Sequence, residues 1–428
     1  MKQISPSLFL SILLLLSALP MSTFGQTLEE YQEEAARNNP ELRASFNEYQ
    51  AALQKAPQVS SLPDPDLSFA YFVSPIETRL GPQRLRISAT QMFPWFGSLK
   101  DHETKSVLNA KARFEVFQEQ RNRIFHNMEV LWSELYTVQE QIHLVNENLE
   151  IVNTLVNTSL RKYETGLVPQ VDVLRAQIEQ EDLKTKIQLL EDNKRLLVIQ
   201  FNELRNVDPS ENINTPDTLS LHSFDSFNEE AWLEQVHSRN PNLNQLRYRE
   251  SAAETSIEIA ENVGRLSFGV GLDYIATGER DDVTSLTDNG KDAMVVRLNI
   301  KVPLFRKKYQ AKVEEASLIH SAAQYNTMHL ENQLETSFYT ALRDLEDARR
   351  RYELYTEQQI YRVEQAVNVL LQSYVSDNLQ FEEILRLERR LFSYQFERIK
   401  AEADEFRAFS YLRYLSGEQN TSPEDINY

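Results

Sequence analysis

Histidine, cysteine and clustered carboxylates are the residue types that most often carry catalysis or metal binding. The chain has no cysteine, which excludes disulfides, thiolate metal sites and thiol catalysis. Its histidines form no HExxH motif and no other closely spaced pair of ligands, so we expect no metal site, no cofactor and no enzymatic activity. We interpret the seven histidines as residues of the surface or of helix seams: His102, His126, His143, His222, His237, His320 and His329.

Acidic residues lie beside two predicted turns between long helices. Repeated around one axis, these carboxylates would form rings that favour cations where a passage narrows. A solvated helix end is the alternative, because acids in the first turn of a helix are favoured by the helix dipole without any further role. The candidates are Asp172 at the first turn and Asp377, Glu382 and Glu383 at the second.

The composition indicates that most of the chain is helical. Only 10 glycines occur in 428 residues, whereas Leu, Glu, Gln, Ala and Arg are abundant. With 45 Lys and Arg against 64 Asp and Glu, the formal charge is −19, which argues against nucleic acid as a partner. Residues 1–25 are typical of a secretory signal peptide, in which Lys2 precedes an apolar stretch from Leu8 to Leu19. At about 18 Å, that stretch is too short to span a membrane as a helix.

The sequence contains an internal duplication. Asn39-Pro40-Glu41-Leu42 returns as Asn240-Pro241-Asn242-Leu243, each time after a short helix with a predicted capping box. The boxes pair Thr27 with Glu30 and Ser226 with Glu229. Two further pairs of segments keep the same order: Phe93-Pro94-Trp95-Phe96 with Val302-Pro303-Leu304-Phe305, and Tyr163-Glu164-Thr165-Gly166 with Tyr374-Val375-Ser376-Asp377. We therefore expect one copy at 26–215, a second at 216–417, and a polar tail at 418–428.

Each copy is expected to contain the same succession of elements. In the first copy we expect strands at about 67–73 and 84–92, a long helix at about 99–163, a tip at 164–170 and a return helix at 171–206. In the second copy we expect strands at about 266–274 and 294–302, a long helix at about 308–375, a tip at 376–380 and a return helix at 381–416.

The strand candidates alternate strictly between apolar and polar residues. In the second copy, Leu266 to Tyr274 and Met294 to Val302 each alternate over nine residues, which is about the length that crosses an outer membrane as a tilted strand. Arg297, Asn299 and Lys301 lie opposite continuous aliphatic residues, as a polar lumen and an apolar lipid face require. An ordinary antiparallel sheet with one wet face would alternate in the same way, so this pattern leaves both possibilities open.

The helical segments carry coiled-coil seams. Apolar residues from Ile124 to Val156 follow steps of four and three for more than four heptads, and the pattern recurs from Leu183 to Leu204, interrupted by Lys194, and from Phe338 to Tyr374. A repeat of 3.5 residues against the natural 3.6 imposes a left-handed supercoil, so these helices must wind around partners. The long helix from Leu99 to Tyr163 would extend close to 100 Å.

Four strands in one chain cannot close a barrel, and an open edge in lipid would leave backbone groups unpaired. Two chains would supply eight strands, whose interior is filled by side chains, whereas three would supply twelve and leave a lumen. We therefore predict a mainly α fold with a small β part. A duplicated helix-strand-strand-helix unit would contribute long helices to an α-barrel and four strands to a trimeric 12-stranded transmembrane β-barrel.

Aromatic residues cluster where the predicted strands end. They fit an interfacial girdle at a membrane surface, but they would equally fit residues buried at a strand-helix junction. The residues are Phe93, Trp95, Phe96 and Phe305.

Taken in order, these features resemble the TolC-like outer-membrane factors of tripartite efflux pumps and type I secretion systems. The resemblance rests on the Asn-Pro-x-Leu segments at Asn39 and Asn240, on Gln91 to Gly97 after a strand, and on Tyr163 to Leu174 at the first tip. It implies a homotrimer with a periplasmic helical tunnel, located in the outer membrane of a Gram-negative bacterium. It also implies docking to a periplasmic adaptor that is driven by an inner-membrane transporter.

The resemblance further implies that the helix tips are the docking residues: Gly166, Leu167, Val168 and Pro169 in the first copy and Asp377, Asn378 and Leu379 in the second. The tips differ between the copies, and the absence of cysteine excludes the N-terminal lipid anchor of many relatives. The expected function is a passive exit duct that carries substrate to the exterior. The alternative is a periplasmic structural or adaptor coiled-coil protein without its own pore.

Overall fold

The computed structural model describes residues 27–219, 228–282, 287–375 and 381–417. The expected signal peptide, the second tip and the polar tail lie outside these residues. The first copy contains α1 (Leu28–Asn38), α2 (Pro40–Leu53), α3 (Lys55–Ser60), β1 (Asp66–Thr78), β2 (Gly81–Phe93), α4 (Ser98–Glu164) and α5 (Gln170–Arg205). The second copy contains α6 (Glu229–Arg239), α7 (Pro241–Val263), β3 (Ser267–Thr277), β4 (Ala293–Lys301), α8 (Arg306–Leu354), a π-helical turn (Tyr355–Gln359), α9 (Ile360–Val375) and α10 (Phe381–Ser416).

Local capping fixes where the short helices begin. At the start of α1, the Thr27 hydroxyl accepts from the Glu30 backbone N–H at 3.3 Å, and the Glu30 carboxylate accepts from the Thr27 N–H at 3.2 Å. The predicted capping box is thus present in the first copy. In the second copy Asn228 is the N-cap, with its side-chain oxygen accepting from Ala231 N. The predicted cap Ser226 lies outside the described residues.

The recurring Asn-Pro pair performs the same two tasks in both copies. The Asn39 side-chain oxygen accepts backbone N–H groups at the start of α2, and its Nδ2 donates to the Leu204 carbonyl near the end of α5 at 2.9 Å. Asn240 caps α7 in the same way and donates to the Leu415 carbonyl at 2.9 Å. Proline follows at the first helical position, where its missing N–H costs nothing. Each asparagine therefore ties a short helix to the end of a return helix.

The 67-residue helix α4 spans roughly 100 Å. Its predicted seam is buried, since Met128, Leu135 and Val145 are fully enclosed and pack with α5 and α10. Lys194, which interrupts the seam of α5, donates through Nζ to the side chain of Gln139 at 2.6 Å. The amino group of Lys194 thus has a polar partner on the neighbouring helix.

The second long helix is not continuous α-helix. The apolar seam residues Tyr355 and Ile360 are five positions apart, and the structure places the π-helical turn between them. A π turn absorbs one extra residue, which returns the seam to the same face of the helix. The heptad pattern predicted the helix correctly, but the prediction of a continuous α-helix overlooked this wider spacing.

The four strands form one antiparallel sheet in the order β1-β2-β3-β4. The central pair joins the two copies, with Ser88 opposite Asp273 and Phe93 opposite Phe268. We expected a loop from Ser74 to Gln83, but β1 runs to Thr78 and β2 begins at Gly81, so the turn is short. The alternation is broken because Pro75 lies in an irregular stretch of β1. Proline has no backbone N–H to donate, so within sheets it is found at edge strands and bulges.

Candidate membrane and docking surfaces

One face of the sheet is apolar and exposed. The edge strands contribute most of it: Leu67, Phe69, Tyr71 and Val73 in β1 and Met294, Val296, Leu298 and Ile300 in β4. In β3, Val270, Leu272 and Tyr274 are exposed on this face, whereas the alternate residues are covered. A contiguous apolar surface of this kind marks contact with lipid or with another protein.

The opposite face is polar and crowded. Asp273 is only 4% exposed and forms an ion pair with Arg297 at 2.8 Å, and an Arg297 guanidinium nitrogen donates to the Thr90 hydroxyl at 3.4 Å. Gly271 lies directly opposite both Thr90 and Arg297 in the sheet. A side chain at position 271 would come within 3.4 Å of both, so glycine leaves the space that this polar layer occupies.

The two outer strands of the sheet have unused edges. Among the residues that the structure describes, β1 pairs only with β2, and β4 pairs only with β3. Each edge presents a row of backbone donors and acceptors that can pair with another strand.

The four aromatic residues at the strand ends differ in their surroundings. Phe96 and Phe305 are 81% and 78% exposed, and Phe93 is 38% exposed. Trp95 is half-buried, with Arg265 over its ring at 5.7 Å and Phe268 at 6.4 Å between ring centroids. The interfacial girdle stays a prediction, and Trp95 has the packed junction environment that was the alternative.

The first tip is a tight helix end. Gly166 adopts a left-handed φ of 75°, its N–H donates to the Tyr163 carbonyl at 2.9 Å, and the Leu167 N–H donates to the Lys162 carbonyl at 2.8 Å. This pattern is a Schellman motif, which glycine allows at low steric cost. Val168 packs inward at 6% exposure, whereas Leu167 is 55% exposed. The tip thus presents Leu167 on a defined backbone before α5 begins.

The acidic residues at the tips are paired with arginines. Asp172 is 6% exposed and lies 3.5 Å from Arg175, which also contacts Glu382 of the second copy at 3.2 Å. Burial raises the pKa of Asp172, and the positive charge of Arg175 opposes that rise. Glu383 forms an ion pair with Arg386 one turn later. The sequence analysis did not single out Arg175, although its spacing of three residues from Asp172 on a helix was a usable signal.

The predicted tip residues Asp377, Asn378 and Leu379 lie outside the described residues. The docking role of the tips and the acidic ring therefore stay predictions.

A second polar cluster lies between the middle of α4 and the end of α10. The His126 ring of α4 lies 2.7 Å from the Ser410 hydroxyl and stacks on Tyr414 at 5.4 Å. Burial, together with the charge of Arg413, lowers the pKa of His126 to about 4. Arg413 itself forms an ion pair with Glu129. His126 is therefore a neutral seam residue at physiological pH.

The described residues contain neither a membrane-spanning helix nor a cluster of metal ligands. None of their helices is both long and apolar enough to cross a membrane. No group of three or more His, Asp or Glu side chains within the described ranges is arranged to hold a metal ion.

The architecture is similar to that of solved outer-membrane proteins and channels. VceC from Vibrio cholerae superposes with a TM-score of 0.76 at 17% identity, covering 92% of this chain and 97% of that chain. The Campylobacter jejuni channel CmeC gives a TM-score of 0.73 at 15% identity, covering 96% and 93%. The Neisseria gonorrhoeae channel MtrE gives 0.71 at 13% identity, covering 91% and 89%. These likenesses establish the fold.

The sequence comparison matches part of the chain to a known family. The family model described as "Outer membrane efflux protein" matches residues 32–207, which lie within the first copy. The curated proteins gave no match. The match to part of the chain and the shared fold agree with the resemblance to TolC-like outer-membrane factors that the sequence indicated. The family model is described as an efflux protein, and CmeC and MtrE are described as outer membrane channels.

Proposed function

We propose that three copies of this chain form a passive exit duct, which carries substrate from a periplasmic adaptor and an inner-membrane transporter to the exterior. The duct would serve a tripartite efflux pump or a type I secretion system. The observation that carries this proposal is the open four-stranded sheet, which has one apolar face, one polar face and two unused edges.

The sheet supports a pore shared between chains. An isolated sheet with its apolar face in water would be costly, and unpaired edges in lipid would cost several kcal/mol for each backbone group. Pairing β4 of one subunit with β1 of the next subunit removes both edges. Three subunits would then supply twelve strands and enclose a lumen that is lined by the polar face.

The helices support the same assembly. On α5, apolar residues stay exposed in the single chain at spacings of three, four, eleven and seven residues, which keep them on one face of the helix: Val171, Leu174, Ile178, Leu189 and Leu196. Exposed apolar rows on long helices are what neighbouring helices cover in a coiled coil. We infer that adjacent subunits cover them and that the helices continue the pore as an α-barrel into the periplasm.

We infer that the adaptor docks at the helix tips. The exposed Leu167 on its fixed backbone supports a contact at the first tip. Asp172 and Glu382 would be repeated three times in a trimer, and Arg175 would balance part of their charge. If these residues surround the narrow end of the pore, replacing Asp172 and Asp377 by Asn should change the conductance in planar bilayers. Unaltered conductance would remove the ring from the proposal.

The assembly can be tested with cysteines, because the chain contains none. A cysteine at Ser68 in β1 combined with one at Val295, Arg297 or Asn299 in β4 should give covalent trimers on oxidation at the correct register. Variants with a single cysteine are the controls. Trimers that conduct ions in planar bilayers are the expected result. A stable monomer that stays in water without detergent would refute the duct and favour the pore-free adaptor alternative.

We also propose that the chain is a tandem duplication with copies at about 26–215 and 216–417. The matching roles of Asn39 and Asn240 support this division, since each caps a helix and bonds to the end of its own return helix.

A further inference from the structure

A cavity of about 460 Å³ lies where the end of the sheet meets the beginnings of the long helices. We call it the junction cavity. Residues from both copies line it, among them Trp95, His102, Arg265, Lys301, Lys308 and Lys312. Among the described residues that line it there is no Asp and no Glu. In a chain with a formal charge of −19, this local excess of positive charge does not follow from the composition.

The cations of the junction cavity lack acidic partners within the described part of the chain. Arg265 packs over Trp95 at 5.7 Å and Lys308 lies 5.9 Å from the Tyr309 ring centroid, but neither forms an ion pair there. Asp101 neighbours the lining residue His102 in the chain. Its carboxylate already accepts a hydrogen bond from Asn262 Nδ2 at 2.6 Å.

The start of α8 is unfavourable as it stands. Arg306, Lys307 and Lys308 occupy its first turn, with no acidic residue there and no side-chain cap from Phe305. The positive end of the helix dipole disfavours cations, and a like-charge pair four residues apart on a helix, such as Lys308 and Lys312, is destabilising. A bound anion would turn each of these costs into an attraction.

We propose that the junction cavity binds a phosphate-bearing anion. Arg265 would offer a planar fork for phosphate oxygens, and Lys301, Lys308 and Lys312 would act as point charges. Two sources carry this chemistry. A phospholipid headgroup would suit the exposed aromatic Phe305 beside α8, whereas a soluble phosphate compound would suit Lys301, which belongs to the polar face of the sheet.

The site is tested by titrating the purified full-length protein in detergent with sodium pyrophosphate at constant ionic strength, using calorimetry. The variant Lys308→Gln/Lys312→Gln removes two cavity charges. The control Lys100→Gln/Lys307→Gln also removes two charges, one at the beginning of α4 and one at the beginning of α8, and neither residue lines the cavity. We expect the cavity variant to bind at least about tenfold more weakly and the control to match the wild type. Equal binding of pyrophosphate by all three proteins overturns the proposal. It is also overturned if the wild type neither binds pyrophosphate here nor retains anionic phospholipid in the next assay.

A second measurement distinguishes the two sources. Phospholipid that co-purifies with each protein is extracted and quantified by mass spectrometry. Anionic phospholipid retained by the wild type and the control, but lost from the cavity variant, identifies a headgroup. Pyrophosphate binding without such retention identifies a soluble anion.

Thermal unfolding separates binding from a purely structural role. Without phosphate the cavity variant should be at least as stable as the wild type, because a like-charge pair is removed. Added pyrophosphate should raise the Tm of the wild type and the control alone. A cavity variant that is less stable without phosphate and gains as much Tm as the wild type would refute the site. None of these assays measures conduction. The hypothesis of an exit duct and the hypothesis of an anion site can therefore be refuted independently of each other.

Discussion

Replacing Asn240 by Ala should destabilise the second copy by removing two interactions at once. The side-chain oxygen of Asn240 caps α7 through the Leu243 N–H at 3.1 Å, and its Nδ2 satisfies the Leu415 carbonyl. Loss of an N-cap costs about 1 kcal/mol, and a buried carbonyl left without its donor costs about 1–3 kcal/mol. Because Asn240 is only 3% exposed, water cannot readily replace either partner. We therefore expect a total loss of about 2–4 kcal/mol.

The variant Asn240→Ser separates the two contributions. Serine retains a capping oxygen but cannot donate to Leu415, so it should be more stable than Asn240→Ala by about 1 kcal/mol. The duplication supplies a matched variant, because Asn39 makes the corresponding bonds to α2 and to Leu204. Asn39→Ala should lose a similar amount at the other copy.

The assay is urea unfolding in detergent, followed by circular dichroism at 222 nm, together with hydrogen exchange of the peptides that cover α7 and the end of α10. Faster exchange should be confined to α7 and the end of α10 for the Asn240 variants, and to α2 and the end of α5 for Asn39→Ala. The reasoning is refuted if Asn240→Ala lies within 0.5 kcal/mol of the wild type, which is the usual effect of a neutral surface substitution.

Three further outcomes are expected. Phe338→Ala should cost about 3–5 kcal/mol because the ring is fully buried, whereas Phe96→Ala, at an 81% exposed site, should change detergent stability by less than about 0.5 kcal/mol; equal losses would contradict the packing. The lowered pKa of His126 means that the unfolded chain takes up a proton first, so the Tm should fall as the pH drops from 6.5 towards 4, less steeply in His126→Gln; parallel pH profiles would argue against a buried neutral ring. Gly166→Ala should destabilise the first tip by about 1 kcal/mol through backbone strain alone, since no atom lies within 4 Å of the added methyl group, and unchanged hydrogen exchange at the tip would refute this.

Much of the fold was predictable because its elements are long and periodic. The seam residues Met128, Leu135 and Val145 are buried as their spacing indicated, and the apolar positions of β3 and β4 share one exposed face. Errors arose where a single residue altered the local geometry. Pro75 interrupts the alternation in β1, so the strand was predicted too short. The wider spacing before Ile360 was not recognised as a π turn.

The candidate surfaces were predictable only in part. The first tip was identified from glycine and proline between two helical patterns, and the structure gives it a Schellman turn. Its charge balance was not predicted, because Arg175 bonds across to Glu382, a residue more than 200 positions away. The junction cavity could not be predicted from the sequence either, since its Arg and Lys residues come from three separate segments.

The sequence by itself determined the elements of this protein, which are the helices with their buried seams and the amphipathic strands, in an order that predicts a duplication. Periodicity encodes these features because the spacing of apolar residues indicates which face of a helix or strand is to be buried. Tertiary structure alone decided which elements meet, including the pairing of β2 with β3 across the two copies and the gathering of unpaired cations at the junction. A repeating apolar face specifies that a partner is needed, but the partner's identity depends on contacts between residues far apart in the chain.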